Sequence, residues 1–433
     1  MSSTEVIWGE SGSAGDFRKA FEGINKLTLK AVNTVPTHHG NGKPTGKTKS
    51  EFVLDPQAYY DLKTYVVAGK RLPSSKEAFS KYFVTEEAAK RLTDLDPLIY
   101  MTIRNVFVRI QNNCNSFNDE NLSKIVTIAT NVREYAISAL DKLSGDPKLS
   151  IQAQFNIITD EKYRAGAKDE AYYSAVETVQ IQLDTWKAEA NGHKKKVEKT
   201  REGIETFLGK TQEDKRDADF IHHLFWEGPV VDIKTRQPIK KDGKEIKNYS
   251  SFLDDEFARL VQETSDLIAE QEKQLKGRKY GIIVAALMVP VCGPFSILAI
   301  VGVASGIPKL NKKLEELAKK QTDLGDEQTQ LQRLIGSVKI LKTQFDKLMD
   351  VMSKALTALD HLQGIFQHQA KHLGDASTAC FQALKVLPDS KSFQTRKIFL
   401  EAFVRNATKA WKELQAVTEE FIESSKISVE IPA

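Results

Sequence analysis

Counting in sevens from Leu310 meets Leu310, Leu317, Leu324, Leu331, Val338, Phe345, Met352, Leu359, Phe366 and Leu373, ten successive apolar positions with no Gly, Pro or charge among them. Seven residues are two helical turns, so this seam keeps one apolar face only if the backbone is helical throughout. The companion positions four residues on are Leu314, Gln321, Gln328, Ile335, Lys342, Met349, Leu356, Gln363 and Ala370, about half of them apolar. The pattern predicts one helix over 310–373, roughly 95 Å long at about 1.5 Å per residue, with Gly374 as its C-cap. A seam of this kind is bundle core.

Other long helical patterns surround it. Asp96 and Pro97 read as N-cap and first helical residue of a helix ending at Gly145. A second runs from Asp169 to Leu208, and a third, carrying Leu253, Phe257, Leu260 and Leu267 on one face, occupies 251–279. A last one spans Phe393 to Ser424. Helix breakers gather at Thr37–Ser50, Ser144–Lys148, Trp226–Lys244 and Val386–Ser390. Strand signals are thin except in 230–247, where Asp242-Gly243 fits the turn of a small hairpin. The expected fold class is all-α: an elongated rod of long antiparallel helices, a tail bundle plus a coiled-coil neck, with a hydrophobic hairpin as its head.

The head is read from one gap in the charge pattern. Lys and Arg number 62 and Asp and Glu 58, yet the 29 residues between Lys279 and Lys309 carry no charge. As a single span this stretch is long enough for a hydrocarbon slab of about 30 Å. Pro290, Gly293 and Pro294 at its midpoint argue otherwise, because a helix-interior proline costs about 3 kcal/mol and lipid offers its carbonyl partner no substitute. Two arms, Gly281–Val289 and Phe295–Ile307, then fold back around the tip. In that hairpin Lys276, Arg278 and Lys279 meet Lys309, Lys312 and Lys313 at one end, where they can contact anionic headgroups. A single span would put basic clusters on both sides, against the topology rule.

The membrane-inserting residues expected are Ile282, Ile283, Val284, Leu287 and Val289 in the first arm and Pro290, Gly293 and Pro294 at the tip. Phe295, Ile297, Leu298, Ile300, Val301 and Val303 supply the second arm. The arms and tip hold thirteen Ile, Val, Leu and Phe residues, worth about 4 to 8 kcal/mol of insertion. In water the same residues form an aggregating patch unless the chain tucks them away, so the element is bistable. Each arm is too short to cross as a helix by itself. Either the adjoining helices extend into the arms or the arms serve as strands, and the inserted form is left open between the two. The β-branched content suits a β-tongue in the soluble form.

A rod of long helices with a hydrophobic hairpin between two of them resembles the cytolysin A-type α-pore-forming toxins. The stretch "FVLDPQAYYDLKTYVVAGKRLPSSKEAFSKYF", Phe52 to Phe83, is similar to the opening of the A component of alpha-xenorhabdolysin-type binary toxins and of helical insecticidal crystal toxins. The resemblance implies a soluble monomer with a five-helix tail bundle, membrane binding, a B-type partner subunit, and homo- or hetero-oligomerisation into a pore. It also implies that two components share the spanning work unequally. Residues 226–244 depart from the family pattern. Domains follow as an N-terminal extension, partly flexible, over 1–50, a helical bundle from 51–279 and 308–433, and the head at 280–307. The rival reading is an intracellular scaffold or membrane-shaping protein anchored by a permanent hairpin.

Other chemistry is weak. The net charge of +4 gives no reason to expect nucleic acid, and the run His193–Arg201 reads as a solvated helix face. Cys114, Cys292 and Cys380 are odd in number and far apart, so neither a disulfide framework nor a metal pattern follows. "GNGKPTGKT" lacks the glycine that a phosphate loop needs at position 41, where Asn41 stands, and reads as a flexible loop. His361, His368 and His372 share a helix without the glutamate of a zinc motif, and His222 and His223 point to different faces. No nucleophile motif occurs, so neither enzyme nor cofactor is expected. The N-terminus has no basic and apolar leader, which predicts synthesis in the cytosol and release by another route to act at a target membrane; without that leader the sequons at Asn121, Asn248 and Asn406 carry no weight.

Overall fold

A computed structural model describes residues 12–38, 44–82, 84–164, 168–249, 326–385 and 390–426. Helices dominate them, as expected. The chain opens with α1 (Gly12–Lys30) and an antiparallel hairpin, β1 (Val32–His38) with β2 (Pro44–Phe52), in which Val32 faces Phe52 and Pro36 faces Thr48. Then come α2 (Pro56–Gly69), α3 (Lys76–Tyr82), α4 (Lys90–Thr93), α5 (Ile99–Phe117), α6 (Ser123–Leu140) and α7 (Ile151–Ile158). The rod is set by α8 (Glu170–His222), α9 (Asp326–Lys385) and α10 (Ser390–Ser425), with a short hairpin of β3 (Lys240–Lys241) and β4 (Lys244–Glu245) between α8 and α9. At 53 and 60 residues, α8 and α9 are about 80 and 90 Å long.

Five helices close a ring of contacts: α9 lies along α8 and α1, α10 along α1 and α6, and α6 along α8. Their shared core is aromatic. Tyr135 of α6 stands edge-on to Trp411 of α10 (5.2 Å) and to Phe366 of α9 (5.4 Å), and Trp186 of α8 sits 5.4 Å from Trp411. Each such pair adds about 0.5–1.5 kcal/mol beyond its buried area. Phe21 brings α1 in against Phe403 of α10 at 3.7 Å.

The expected 96–145 helix is one continuous helical run with π turns at Asn118–Leu122 and Asp141–Gly145. Its first half meets α2 and α8, its second half α8 and α10, so the π turn at 118–122 lies where the run changes neighbours. Asp169 caps α8 by accepting the Tyr172 amide at 3.0 Å, as its sequence position predicts. Asp242 and Gly243 both take positive φ (53° and 79°), the geometry a two-residue hairpin turn demands.

Four expectations need correction. The α5 helix begins at Ile99, with Leu98 rather than Asp96 as its N-cap. Leu331, Phe345, Met352, Leu359, Phe366 and Leu373 are buried as the seam requires. Of the companion row Ala370 is buried, but Met349, Leu356 and Gln363 are only half-buried, and the better-buried row lies three residues on, at Leu348, Leu362, Gln369 and Ala376. The cause is that α9 faces both α8 and α1, which needs a broader stripe than a two-helix seam. Gly374 ends nothing; it lies inside α9, eleven residues before Lys385. The loop expected around Gly40–Thr48 is a hairpin from Pro44 onward, its strand β2 tied to α10 by Ser50 donating to Glu413 (2.7 Å) and by Phe52 against Phe421 (5.7 Å). Within the segment read as an extension, α1 packs against both α9 and α10.

Candidate membrane-active end of the rod

Along α8 and α9 the contacts run in opposite order. Tyr172 meets Leu384, His193 meets Phe366, Arg201 pairs with Asp360, and Tyr65 of α2 bridges Phe207 and Phe345. The start of α9 is therefore level with the end of α8. The described residues that flank 250–325, Tyr249 and Asp326, therefore lie toward that end of the rod.

The fastening there is polar. In the turn before α5, Asp96 accepts the Leu98 amide at 2.8 Å and with its other oxygen accepts the Ile233 amide at 2.7 Å. One carboxylate thus ties the turn that leads into α5 to the segment after α8. Within that segment Val230 and Ile246 exchange a backbone bond (3.0 Å), Val230 is fully buried, and Asn248 donates to the Trp226 carbonyl at 3.2 Å. Tyr249 packs on Phe225 at 5.0 Å, and burial with the nearby Asp96 charge pushes its hydroxyl pKa up. On the returning side Gln330 accepts the Thr85 amide at 3.0 Å, next to Val84, whose carbonyl accepts the Tyr100 hydroxyl at 2.9 Å. Departure and return are both fastened around the first turns of α5.

Below this base lies an ion cluster. Arg109 of α5 reaches Asp214 at 2.5 Å and Asp217 at 2.8 Å on α8, and Asn113 donates to Asp214 at 2.8 Å. Burial raises the Asp214 pKa, and the Arg109 and Asn113 hydrogen bonds oppose that rise. The sequence marked Asp96 as a cap; nothing in it pointed to Ile233, Thr85 or Gln330 as partners.

All the sequence-predicted inserting residues, Ile282 to Val303, and the six bases Lys276, Arg278, Lys279, Lys309, Lys312 and Lys313 lie outside the described residues. No helix among the described residues is long and apolar enough to cross a membrane.

The histidines do not converge. His368 Nδ1 lies 2.7 Å from the Gly364 carbonyl, and His372 lies against Gly23, where an added Cβ would approach its ring to 2.8 Å. Among the described residues no group of three His, Cys, Asp or Glu could hold a metal. His222 and His223, expected on different faces, both bring Nδ1 to Glu227, at 3.4 and 3.7 Å, because a π turn at His223–Glu227 folds Glu227 back beneath them. In the basic run, Lys195 and Lys199 are solvated while His193 is drawn into the core beside Tyr135 (4.9 Å).

No family model and no curated protein matches the chain. Among solved structures the chain is similar to a Bacillus cereus HblL1 toxin component, at 16% identity and TM-score 0.47, over 88% of this chain and 96% of that one. It is also similar to soluble AhlB of the tripartite alpha-pore forming toxin AHL from Aeromonas hydrophila (12% identity, TM-score 0.41, 92% and 93% covered). Soluble SmhA of the tripartite toxin Smh from Serratia marcescens gives 12% identity and TM-score 0.43 over 86% and 93%.

Proposed function

We propose that the chain is a subunit of a pore-forming cytolysin. It reaches a target membrane in water-soluble form, extends the hairpin at 280–307 into lipid, and oligomerises together with a partner subunit. The observation that carries this reading is the uncharged stretch of 29 residues with a proline-glycine tip and three bases at each foot. The rod supports it. A hairpin meant to enter lipid from one side needs both feet at one end of a rigid body, and the flanking segments at Tyr249 and Gln330 are fastened at one end. The likeness of Phe52–Phe83 to the A component of binary toxins supports the partner subunit.

The test is dye release from loaded liposomes by the purified chain, with and without candidate partners, beside vesicle flotation. Binding followed by release is expected. No binding and no release under any condition ends the proposal, and a chain that purifies only in detergent is a permanent hairpin anchor instead.

A further inference from the structure

Two faces of the rod carry charge of opposite sign, unpaired among the described residues, around an exposed isoleucine. On α8, seven positions from Ala171 to Gly192 at alternating three- and four-residue steps read Ala, Ser, Thr, Ile, Thr, Ala, Gly. They make one uncharged stripe opposite the buried Val179, Leu183 and Trp186, and Ile181 at its middle is 58% exposed. Glu170, Glu177 and Asp184 line one side and form no ion pair with a described residue. Gly192 has open space where a Cβ would stand, so nothing among the described residues requires a glycine there. A glycine inside a helix is a cost unless something approaches it closely.

On α10 the outward row has Ile398, also 58% exposed, followed by Arg405, Lys409 and Lys412, all exposed and likewise without an ion pair among the described residues. Glu401 is the one acid in that row. The two rows look to different sides, because α6 and α7 pack between α8 and α10. They stand at the same height: Tyr172 meets Arg396 at 3.1 Å and Trp186 meets Trp411 at 5.4 Å, so Ile181 is level with Arg405.

We infer that the two faces are the halves of one contact, in which the basic α10 row of one copy seats on the acid-flanked α8 stripe of a second copy of this chain. The small side chains let the incoming helix lie close, and the unlike charges set which face meets which. A contact between different faces closes into a ring when no translation accompanies the rotation, and otherwise climbs into a filament. Equal height on the rod supplies that condition. The inference rests on the proposed function only in taking a lipid surface as the place of assembly. A bare anionic membrane would suit the α10 row and would be repelled by the α8 acids.

The test uses the full chain on phosphatidylcholine–phosphatidylserine vesicles, reading oligomers by chemical cross-linking and binding by flotation. Glu177→Lys with Asp184→Lys reverses one face; Arg405→Glu with Lys409→Glu reverses the other. Each double variant alone should form about tenfold less oligomer, since like charges then face each other, while flotation is unchanged. An equal mixture of the two variants should recover assembly, because every contact in an alternating array again joins unlike charges. Undiminished oligomers from either variant, or a mixture no better than its parts, overturns the inference. Wild-type chain that floats without oligomers assigns the faces to a different protein and overturns it too. Failure to float sinks the membrane reading instead, and the same charge variants are then read by sedimentation at high concentration, where absence of oligomers sinks the contact as well.

Discussion

Arg396 of α10 donates to the hydroxyl of Tyr172 on α8 at 3.1 Å, and that hydroxyl donates to the Leu384 carbonyl near the end of α9 at 2.6 Å. One oxygen therefore joins the three longest helices that the structure describes. The guanidinium is fully buried, its second nitrogen donates to the Ile158 carbonyl at 3.2 Å, and burial lowers its pKa. Tyr172→Phe keeps the ring and strips this junction, leaving the Leu384 carbonyl with only the longer bond from Lys168 Nζ (3.4 Å) and Arg396 with only the Ile158 carbonyl. A loss of about 1–3 kcal/mol in urea unfolding is expected; an unchanged midpoint would show that water replaces the hydroxyl.

Gly69 ends α2 against α5, where an added Cβ would stand 2.3 Å from Cys114 Sγ. Gly69→Ala should destabilise by about 1–3 kcal/mol through overpacking. Cys114→Ala opens the space. The double variant should be more stable than the sum of the two singles predicts, and strict additivity in a double-mutant cycle would refute the contact.

His193 faces Tyr135 of α6 and Phe366 of α9, and its pKa is lowered to about 4 by burial and by Lys196, with Glu189 opposing. The folded state thus binds the proton less readily than the unfolded chain, whose histidine titrates near 6.5. The stability it contributes is whole above about pH 6.5 and is lost as pH falls towards 4. Unfolding midpoints of the wild type and of His193→Gln should diverge across that window, the variant changing less. Parallel curves would remove His193 from the acid response.

Ile300 sits in the second arm of the proposed hairpin. A carboxylate placed at mid-bilayer costs about 2.5–3.5 kcal/mol on insertion scales. Ile300→Asp should keep the far-ultraviolet spectrum and the flotation of the parent yet release no dye. Release at the parental rate would mean that this arm stays out of the lipid.

Much of the rod is legible in the sequence where a single period dominates. Phe345, Met352, Leu359, Phe366 and Leu373 point inward because a seven-residue spacing leaves them no other helical face. Gln369, a polar residue outside both predicted rows, is buried and donates to Thr28 of α1 at 3.1 Å, a partner 341 residues away that no local pattern could indicate. The β1–β2 hairpin was hidden because "PTGKTKSEF" has no apolar alternation, and its attachment to α10 is largely through polar groups such as Ser50 and Glu413. π turns leave no periodic trace, so the folding back of Glu227 beneath two histidines could not be foreseen. At the proposed membrane-active end, composition marks the uncharged stretch and chain topology fastens the segments that flank it; Asp96, which accepts both the Leu98 and the Ile233 amides, belongs to that fastening.

The chain leaves the shaft beside Phe225 and comes back beside Thr85, through a single doorway. The pairings that lock α8 to α9 among the described residues, Tyr172 with Leu384, His193 with Phe366 and Arg201 with Asp360, are made by the two helices themselves. On the proposed function, the stretch between them can then lengthen, shorten or be exchanged as a tool handle accepts different bits, and selection on what enters the lipid acts apart from selection on the grip.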